Sequence, residues 1–452
     1  MKDVVILGAG LTGLTTAHHL KKNGLDFCIL EKGSRIGGVI NSVTENGFTW
    51  EEGPNSGVIA NVEVLRLFEE LKGKCELEVA NENVKRRYIL KGEDWQPLPS
   101  GLKSAITTPL FTLKDKFRIL GEPFRSPGKN PNETLAELVQ RRLGQSFLDY
   151  AIDPFILGVY SGDPNRLVTR FALPKLYNLE QKYGSFIGGT IKKGSEPKTE
   201  EEKKITRGVF STKGGLSSLI NALKIKIGKE NIQTGISDLT VRPVKDKYLV
   251  CFTGSDGNPV ELQTKKVIST IGAHQLDKVL PFIDPAQLAK ITNLFYARVI
   301  EIVLGFNYWK GIKLDAFGGL VPFKEKRDIL GVLFMSSLFE GRAPKEGALF
   351  SIFMGGVRRP ELCDLNDDQV EAILKKEICS TMKLEEFNPD LLKIIHHHWA
   401  IPQYEANTEF RLIAVAELEA KYPGLIIGGN LRNGIGMADR ILQARMLAEA
   451  VI

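Results

Sequence analysis

Long apolar runs are missing from this chain: no stretch approaches the roughly 18 consecutive apolar residues of a membrane-spanning helix. The richest, ILGVLFMSSLF at 329–339, is too short and reads as a core strand. Cysteine is scarce: Cys28, Cys75, Cys251, Cys363 and Cys379 form no CxxC pair. An odd, scattered set argues against a disulfide framework or zinc site and for a reducing compartment. Charge of one sign is lacking too, with 60 Lys and Arg against 54 Asp and Glu and a net charge of +6. No dense basic run is interleaved with aromatics, so no nucleic-acid partner is expected. The slight basic bias suits a membrane surface or an acidic small molecule. Internal repeats and low-complexity segments are absent. The first strand is expected at Val4 to Leu7, leaving no room for a leader, so a protein not exported by a cleaved signal is expected. What remains is the composition of an ordinary globular enzyme, 43% hydrophobic with 44 glycines. At 452 residues, two or three domains are the expectation.

The first 38 residues carry the densest signal. DVVILGAG is a short β-branched run ending in glycine, LTGLTTAHHLKKNG has helical spacing with a stop at Gly24, and LDFCILEK is a second strand ending at Glu31. In such a βαβ unit Gly8 permits the turn, Gly10 admits a pyrophosphate and Gly13 lets helix pack on strand. Leu11 and Thr12 open a helix whose free N–H groups face the phosphates. Glu31 lies at the spacing of a ribose-binding acid, followed by Lys32. NAD and FAD share this fingerprint. The continuation EKGSRIGG, with Arg35, Gly37 and Gly38, resembles that of flavoproteins related to amine oxidases and favours FAD.

Further along, EEGPNSG (51–57) precedes a helix expected over 61–71, and NVKRRYILKGEDWQPLP predicts two strands joined by a turn. Between 101 and 204 the pattern turns helical, with Thr134 and Glu137 as a capping box and Gly144 as a stop. Residues 101–129 carry six Lys or Arg against two Asp or Glu, mixed with Leu, Ile and Phe, a mixture that suits either a membrane interface or a solvated helical surface covering a core. An α/β pattern then returns. KKVISTIGA, containing Thr270, resembles the strand that re-enters a flavin domain, and 290–410 alternates strands such as RVIEIVLGF with a helix near 366–383. The end, YPGLIIGGNLRNGIGMADR, reads as a buried strand, Asn430, a glycine turn and a helix from Gly436 and Met437. Aimed at the flavin pyrimidine, that helix terminus would stabilise the charge that develops on reduction. HHHWA (396–400) puts His396 and His398 on one strand face, but no third ligand of suitable spacing accompanies them, so no metal is expected.

Over nearly its whole length the chain resembles the FAD-dependent porphyrinogen oxidases of the protoporphyrinogen oxidase type. The matching stretches are VVILGAGLTGL, RIGG, EGPNS, RRYIL with LPSGL, QRRLG, AFGGLVP, IPQY and GGN with NGIGMAD. The resemblance implies an α/β fold: a Rossmann-like FAD-binding domain in split segments (1–80, 205–275 and 421–452), a mixed-sheet substrate domain (81–100 and 276–420) and an inserted, membrane-associating helical domain (101–204). It implies cofactor contacts at Gly53, Pro54, Asn55 and Ser56 besides those above. Its reaction removes hydrogen from a porphyrinogen in three two-electron steps, with hydride passing to flavin N5 and oxygen as the final acceptor. No residue is expected to be catalytic, since the family works by positioning. Arg87 matches an arginine that pairs with a substrate propionate, and Phe317, Gly318 and Leu320 match the wall facing the macrocycle. Gly319 stands where some relatives carry a larger polar residue. Protoporphyrinogen and coproporphyrinogen remain alternatives, as do a flavin amine oxidase or desaturase and a binding protein resembling Rab GDP-dissociation inhibitors. Ferrochelatase is an expected partner, and the location expected is cytoplasmic, peripheral on the membrane.

Overall fold

Val4 to Leu7 are wholly shielded from solvent, as befits a parallel strand covered on both faces. They sit inside a seven-stranded sheet described, like the rest, by a computed structural model covering residues 1–452, apart from the side chain of Leu102. The strand order is Ile232–Gln233, Phe27–Leu30, Lys2–Leu7, Pro259–Ser269, Lys247–Thr253, Ser237–Val244, with Leu425–Ile427 also pairing with Pro259–Ser269. Side-chain alternation splits the interior in two. Val4 and Ile6 join helices Leu11–Lys22, Val62–Glu70, Ser217–Ile227 and Met437–Glu449 in one core. Val5 and Leu7 join helices Pro285–Thr292 and Thr408–Lys421 in the other. Thus the glycine-rich start, the KKVIS strand and the chain end meet in one Rossmann-like layer.

A second seven-stranded, mixed sheet runs in the order Leu391–Pro402, Tyr296–Phe306, Ala348–Gly355, Ile329–Phe334, Gly318–Leu320, Arg87–Lys91, Asp94–Pro97. One face packs on the helix Asp367–Met382; the other carries Phe48, Trp50, Val303 and Leu349. The apolar run at 329–339 is not one strand, as its composition suggests. It is a strand to Phe334 and then a helical turn, Met335–Leu338. Both pieces are buried, and a run apolar on every side has no period to tell strand from helix.

Residues 102–203 form a helical insertion between the strands Asp94–Pro97 and Val209–Thr212, and the capping box is present: the Thr134 amide donates to Glu137 and the Glu137 amide to Thr134 Oγ1. Fully buried Arg142 ties this segment together, pairing with Glu122 at 2.9 Å and Glu180 at 2.5 Å. Another buried pair ties the loop after Met335–Leu338 to two smaller sheets, at the strands Phe48–Glu51 and Val209–Thr212. Arg342 Nη1 donates to Glu51 Oε1 at 2.9 Å and Nη2 to Ser211 Oγ at 2.6 Å.

Candidate active site

The glycine turn leaves the first sheet at the carboxyl end of Lys2–Leu7. Gly8 has φ of +98°, a conformation costly for any side chain. A Cβ on Gly13 would lie 2.0 Å from the Gly8 carbonyl oxygen and 2.9 Å from Thr270 Oγ1, so helix and strand touch backbone to backbone. A Cβ on Gly10 would meet nothing within 4 Å, which leaves that side open to a ligand. The helix from Leu11 has no side-chain cap and no acid in its first turn, so its N–H groups and dipole are free for an anion. Leu11 and Thr12 are buried just behind that terminus.

Glu31 closes the cradle, its carboxylate accepting from the Ala9 amide at 2.7 Å and the Gly33 amide at 2.7 Å. Each oxygen retains a lone pair for a ribose hydroxyl. Lys32 is exposed at the edge. The Gly37 amide donates to the Ala9 carbonyl at 2.8 Å, and Arg35 Nη1 holds the turn by donating to the Ile40 carbonyl at 3.0 Å. Gly38 lies against Gly10, where a Cβ would come 3.2 Å from its Cα. Thr270 acts from below, its hydroxyl 2.9 and 3.2 Å from the Leu7 and Gly8 carbonyls. Donors, an open glycine face and a ribose acid therefore all fit an adenine dinucleotide.

At the other chain end, Asn430 is held by two buried phenols. Its Oδ1 accepts from Tyr296 at 3.2 Å and its carbonyl from Tyr404 at 2.8 Å; burial pushes the Tyr404 hydroxyl up to about 12. The helix Met437–Glu449 begins after exposed Gly436, with Met437 buried. Its terminus is not wholly free, since the Gly436 amide donates to Asp439 at 3.1 Å. Burial raises the Asp439 carboxyl above its usual range.

Arg87, Phe317, Gly318 and Leu320 come together in the second sheet, with Gly318 opposite Arg87 and Leu320 opposite Ile89 in parallel register. Exposed Arg87 lies with its guanidinium carbon 5.5 Å from the Phe317 ring centroid, and it makes no ion pair among the described residues. Arg86 turns the other way, to Asp315 at 3.1 Å, where Tyr88 also donates at 2.8 Å. Leu320 packs with Ile89, Leu110, Phe111 and Tyr150, so helical-segment residues wall this face. Gly319 points to the opposite side, where the Trp95 ring would lie 2.3 Å from a Cβ. The indole reaches Gly319 from Asp94–Pro97, two strands away across Arg87–Lys91.

The three histidines part company: His396 Nε2 is 3.0 Å from Asp367, His397 Nε2 is 3.2 Å from Glu301, and His398 is exposed. The Glu301 contact was not anticipated. Its only signal is a lone acid within RVIEIVLGF. Burial pushes the Glu301 carboxyl above its usual range, against the pull of His397 and Asn55.

Comparison with known proteins agrees with this geometry. The family of flavin containing amine oxidoreductases matches residues 11–452. Protoporphyrinogen oxidase 2 of Arabidopsis thaliana is 29% identical, covering 100% of this chain and 94% of its own. Coproporphyrinogen III oxidase of Bacillus subtilis is 24% identical, covering 98% and 96%. A crystal structure from Exiguobacterium, described as a candidate protoporphyrinogen oxidase, has the same fold, with a TM-score of 0.82 over 100% of this chain and 98% of that one at 22% identity. The chain belongs to the flavin containing amine oxidoreductase family, as an oxidoreductase whose cofactor is FAD.

Proposed function

We propose that the protein oxidises a porphyrinogen to its conjugated porphyrin with molecular oxygen as acceptor and hydrogen peroxide as by-product. Protoporphyrinogen IX is the substrate of this reading and coproporphyrinogen III the second, favoured by the full-length likeness to the Bacillus subtilis enzyme. The carrying observation is Arg87, an unneutralised guanidinium parked on an aromatic ring beside an apolar wall. A flat macrocycle with a carboxylate tail needs that pair of features, and the forked guanidinium suits the carboxylate. Bound FAD supplies the two-electron acceptor. In this reading the residues 8, 10–13, 31, 32, 35, 37, 38, 53–56, 270, 430, 436 and 437 hold the cofactor, within the split domain boundaries read from the sequence. Arg87 binds a propionate, Phe317 and Leu320 set the plane of the ring, and Gly318 admits the macrocycle edge to the backbone. The product would pass to a metal-inserting enzyme, ferrochelatase. Turnover assayed on both porphyrinogens tests the reading; oxidation of neither sinks it.

Arg87→Ala should mainly raise KM, because a remote anchor serves ground and transition states alike. An exposed pair is worth about 1 kcal/mol at most, whereas one desolvated by bound substrate costs about 2–5 kcal/mol when broken, roughly 30-fold or more in kcat/KM. Arg87→Lys should recover part of this and flavin content should stay normal. Wild-type kcat/KM in Arg87→Ala would remove the anchor role.

Peripheral attachment to the cytoplasmic membrane is part of the same proposal. In the helix Leu113–Leu120 the apolar stripe faces outward: Leu113 is 71% exposed, Phe117 71% and Leu120 69%, with Phe124 at 90% just beyond. Exposed Ile191 and the basic pair Lys192 and Lys193 lie on the helix Phe186–Gly194, whose first amides are capped by Glu122. An apolar stripe rimmed by lysines fits an anionic lipid surface, where each cation adds about 1 kcal/mol. Among the described residues no helix is long and apolar enough to cross a membrane. Flotation with anionic vesicles should show salt-weakened binding that is lost in a Phe117→Asp, Phe124→Asp variant. Equal flotation of variant and wild type would count against the stripe.

A further inference from the structure

Glu301 is the one acid in a strand, Tyr296–Phe306, that is otherwise almost entirely apolar, and its side chain is wholly buried. Its Oε1 accepts from Asn55 Nδ2 at 2.7 Å and its Oε2 faces His397 Nε2 at 3.2 Å. Asn55 Nδ2 also reaches the Gly53 carbonyl at 3.2 Å, and Asn55 Oδ1 accepts from Ser351 Oγ at 2.5 Å. The amide of Asn55 is thus spent inside the protein. Whatever the 53–56 loop offers to FAD comes from its backbone and from Ser56, and Asn55 is the handle by which the loop is held. Three adjacent strands of the second sheet supply the grip: His397, Glu301 and Ser351. The loop is also pressed from the cofactor side, since a Cβ on Gly53 would lie 2.1 Å from the Val39 carbonyl oxygen, in the turn after Gly37 and Gly38. A buried carboxylate without an Arg or Lys partner is expensive, and a leucine would fill the same space without that cost. Packing alone does not account for it.

We propose that Glu301 is a positioning residue: through Asn55 it clamps the 53–56 loop to the second sheet, setting the flavin against the face that carries Arg87 and Leu320. The proposal rests on the assignment of the 53–56 loop to FAD. Its test is FAD affinity, measured by fluorescence titration of protein stripped of flavin, together with the melting temperature of the stripped protein. In Glu301→Gln the amide oxygen still accepts from Asn55, so affinity should stay within about threefold of wild type. Glu301→Leu should weaken FAD binding about tenfold or more, the loss of one charge-assisted hydrogen bond. Ser351→Ala, which removes the donor to Asn55 Oδ1, should weaken it about fivefold or more. Under saturating FAD, Glu301→Leu should also raise the porphyrinogen KM more than it lowers kcat. If Glu301→Leu fails to fold, Glu301→Gln and Ser351→Ala decide: unchanged affinity in Ser351→Ala overturns the clamp. Wild-type affinity in Glu301→Leu overturns it as well, and if Gly53→Ala meanwhile loses FAD, the loop assignment survives that failure. Wild-type affinity in Gly53→Ala overturns both.

Discussion

Gly13→Ala should be purified without flavin. Its Cβ would sit 2.0 Å from the Gly8 carbonyl oxygen, a backbone atom held by the sheet, and 2.9 Å from Thr270 Oγ1, which is itself bonded to the turn. Nothing flexible is there to yield, so the helix Leu11–Lys22 must move off the strand. Its free amides then leave the pyrophosphate. Losing two hydrogen bonds to a charged phosphate, at about 1.5–3 kcal/mol each, weakens FAD binding by a hundredfold or more, roughly. The overpacked junction also destabilises the stripped protein by about 1–3 kcal/mol. Gly10→Ala separates these effects. That position has φ of −74° and open space, so the stripped protein should melt as wild type while FAD binding is lost. Flavin-to-protein ratio and the melting curve of each variant are the measurements. A yellow Gly13→Ala with normal flavin content would mean that the cradle lies elsewhere.

Arg342→Met should lower stability by about 3–5 kcal/mol, because it leaves the Glu51 carboxylate buried without a counter-charge. Both side chains are 1% exposed, so solvent cannot compensate. Glu51 keeps Ser42 Oγ at 2.6 Å and the Leu216 amide at 3.0 Å, which neutral donors make a poor substitute for a guanidinium. The double variant Glu51→Gln, Arg342→Met removes the charge while keeping an acceptor for Leu216, and should recover at least half of the loss. Chemical denaturation of the three proteins checks this. A single variant as stable as wild type would show that the pair contributes nothing to stability.

The cofactor cradle was legible because its signals are local. Strand, glycine turn, helix and acid lie within the first 38 residues, and each constrains a backbone conformation that few residues satisfy. The divergence of Arg86 and Arg87 was also legible, since side chains alternate along any strand. Gly319 was harder: its reason is the Trp95 ring, on a strand that the sequence places nearby without showing which face it presents. Glu301 escaped notice because its partners lie 246 and 96 residues away, and a lone acid in an apolar strand does not announce them. The spent amide of Asn55 is likewise an outcome of tertiary packing, whereas the Asp439 contact with Gly436 is a local cap three residues apart at the helix start. The pattern could place these residues near the cofactor but could not say which of their atoms were already taken.

The first sheet has a consequence for how the protein is made. Its middle strand is Lys2–Leu7, its neighbour Pro259–Ser269 emerges far later, and Leu425–Ile427 later still. The helix that opens on the pyrophosphate site packs on the helix Met437–Glu449, with Thr16 Oγ1 3.4 Å from the Ala444 carbonyl. The first strand and helix thus wait for segments synthesised far later before either is covered. Such long-range pairing is slow and leaves apolar strand edges bare on the way. During translation the amino-terminal βαβ unit would stand as an incomplete pair of parallel strands, and FAD could be captured tightly only after the later segments Pro259–Ser269 and Leu425–Ile427 have joined the sheet.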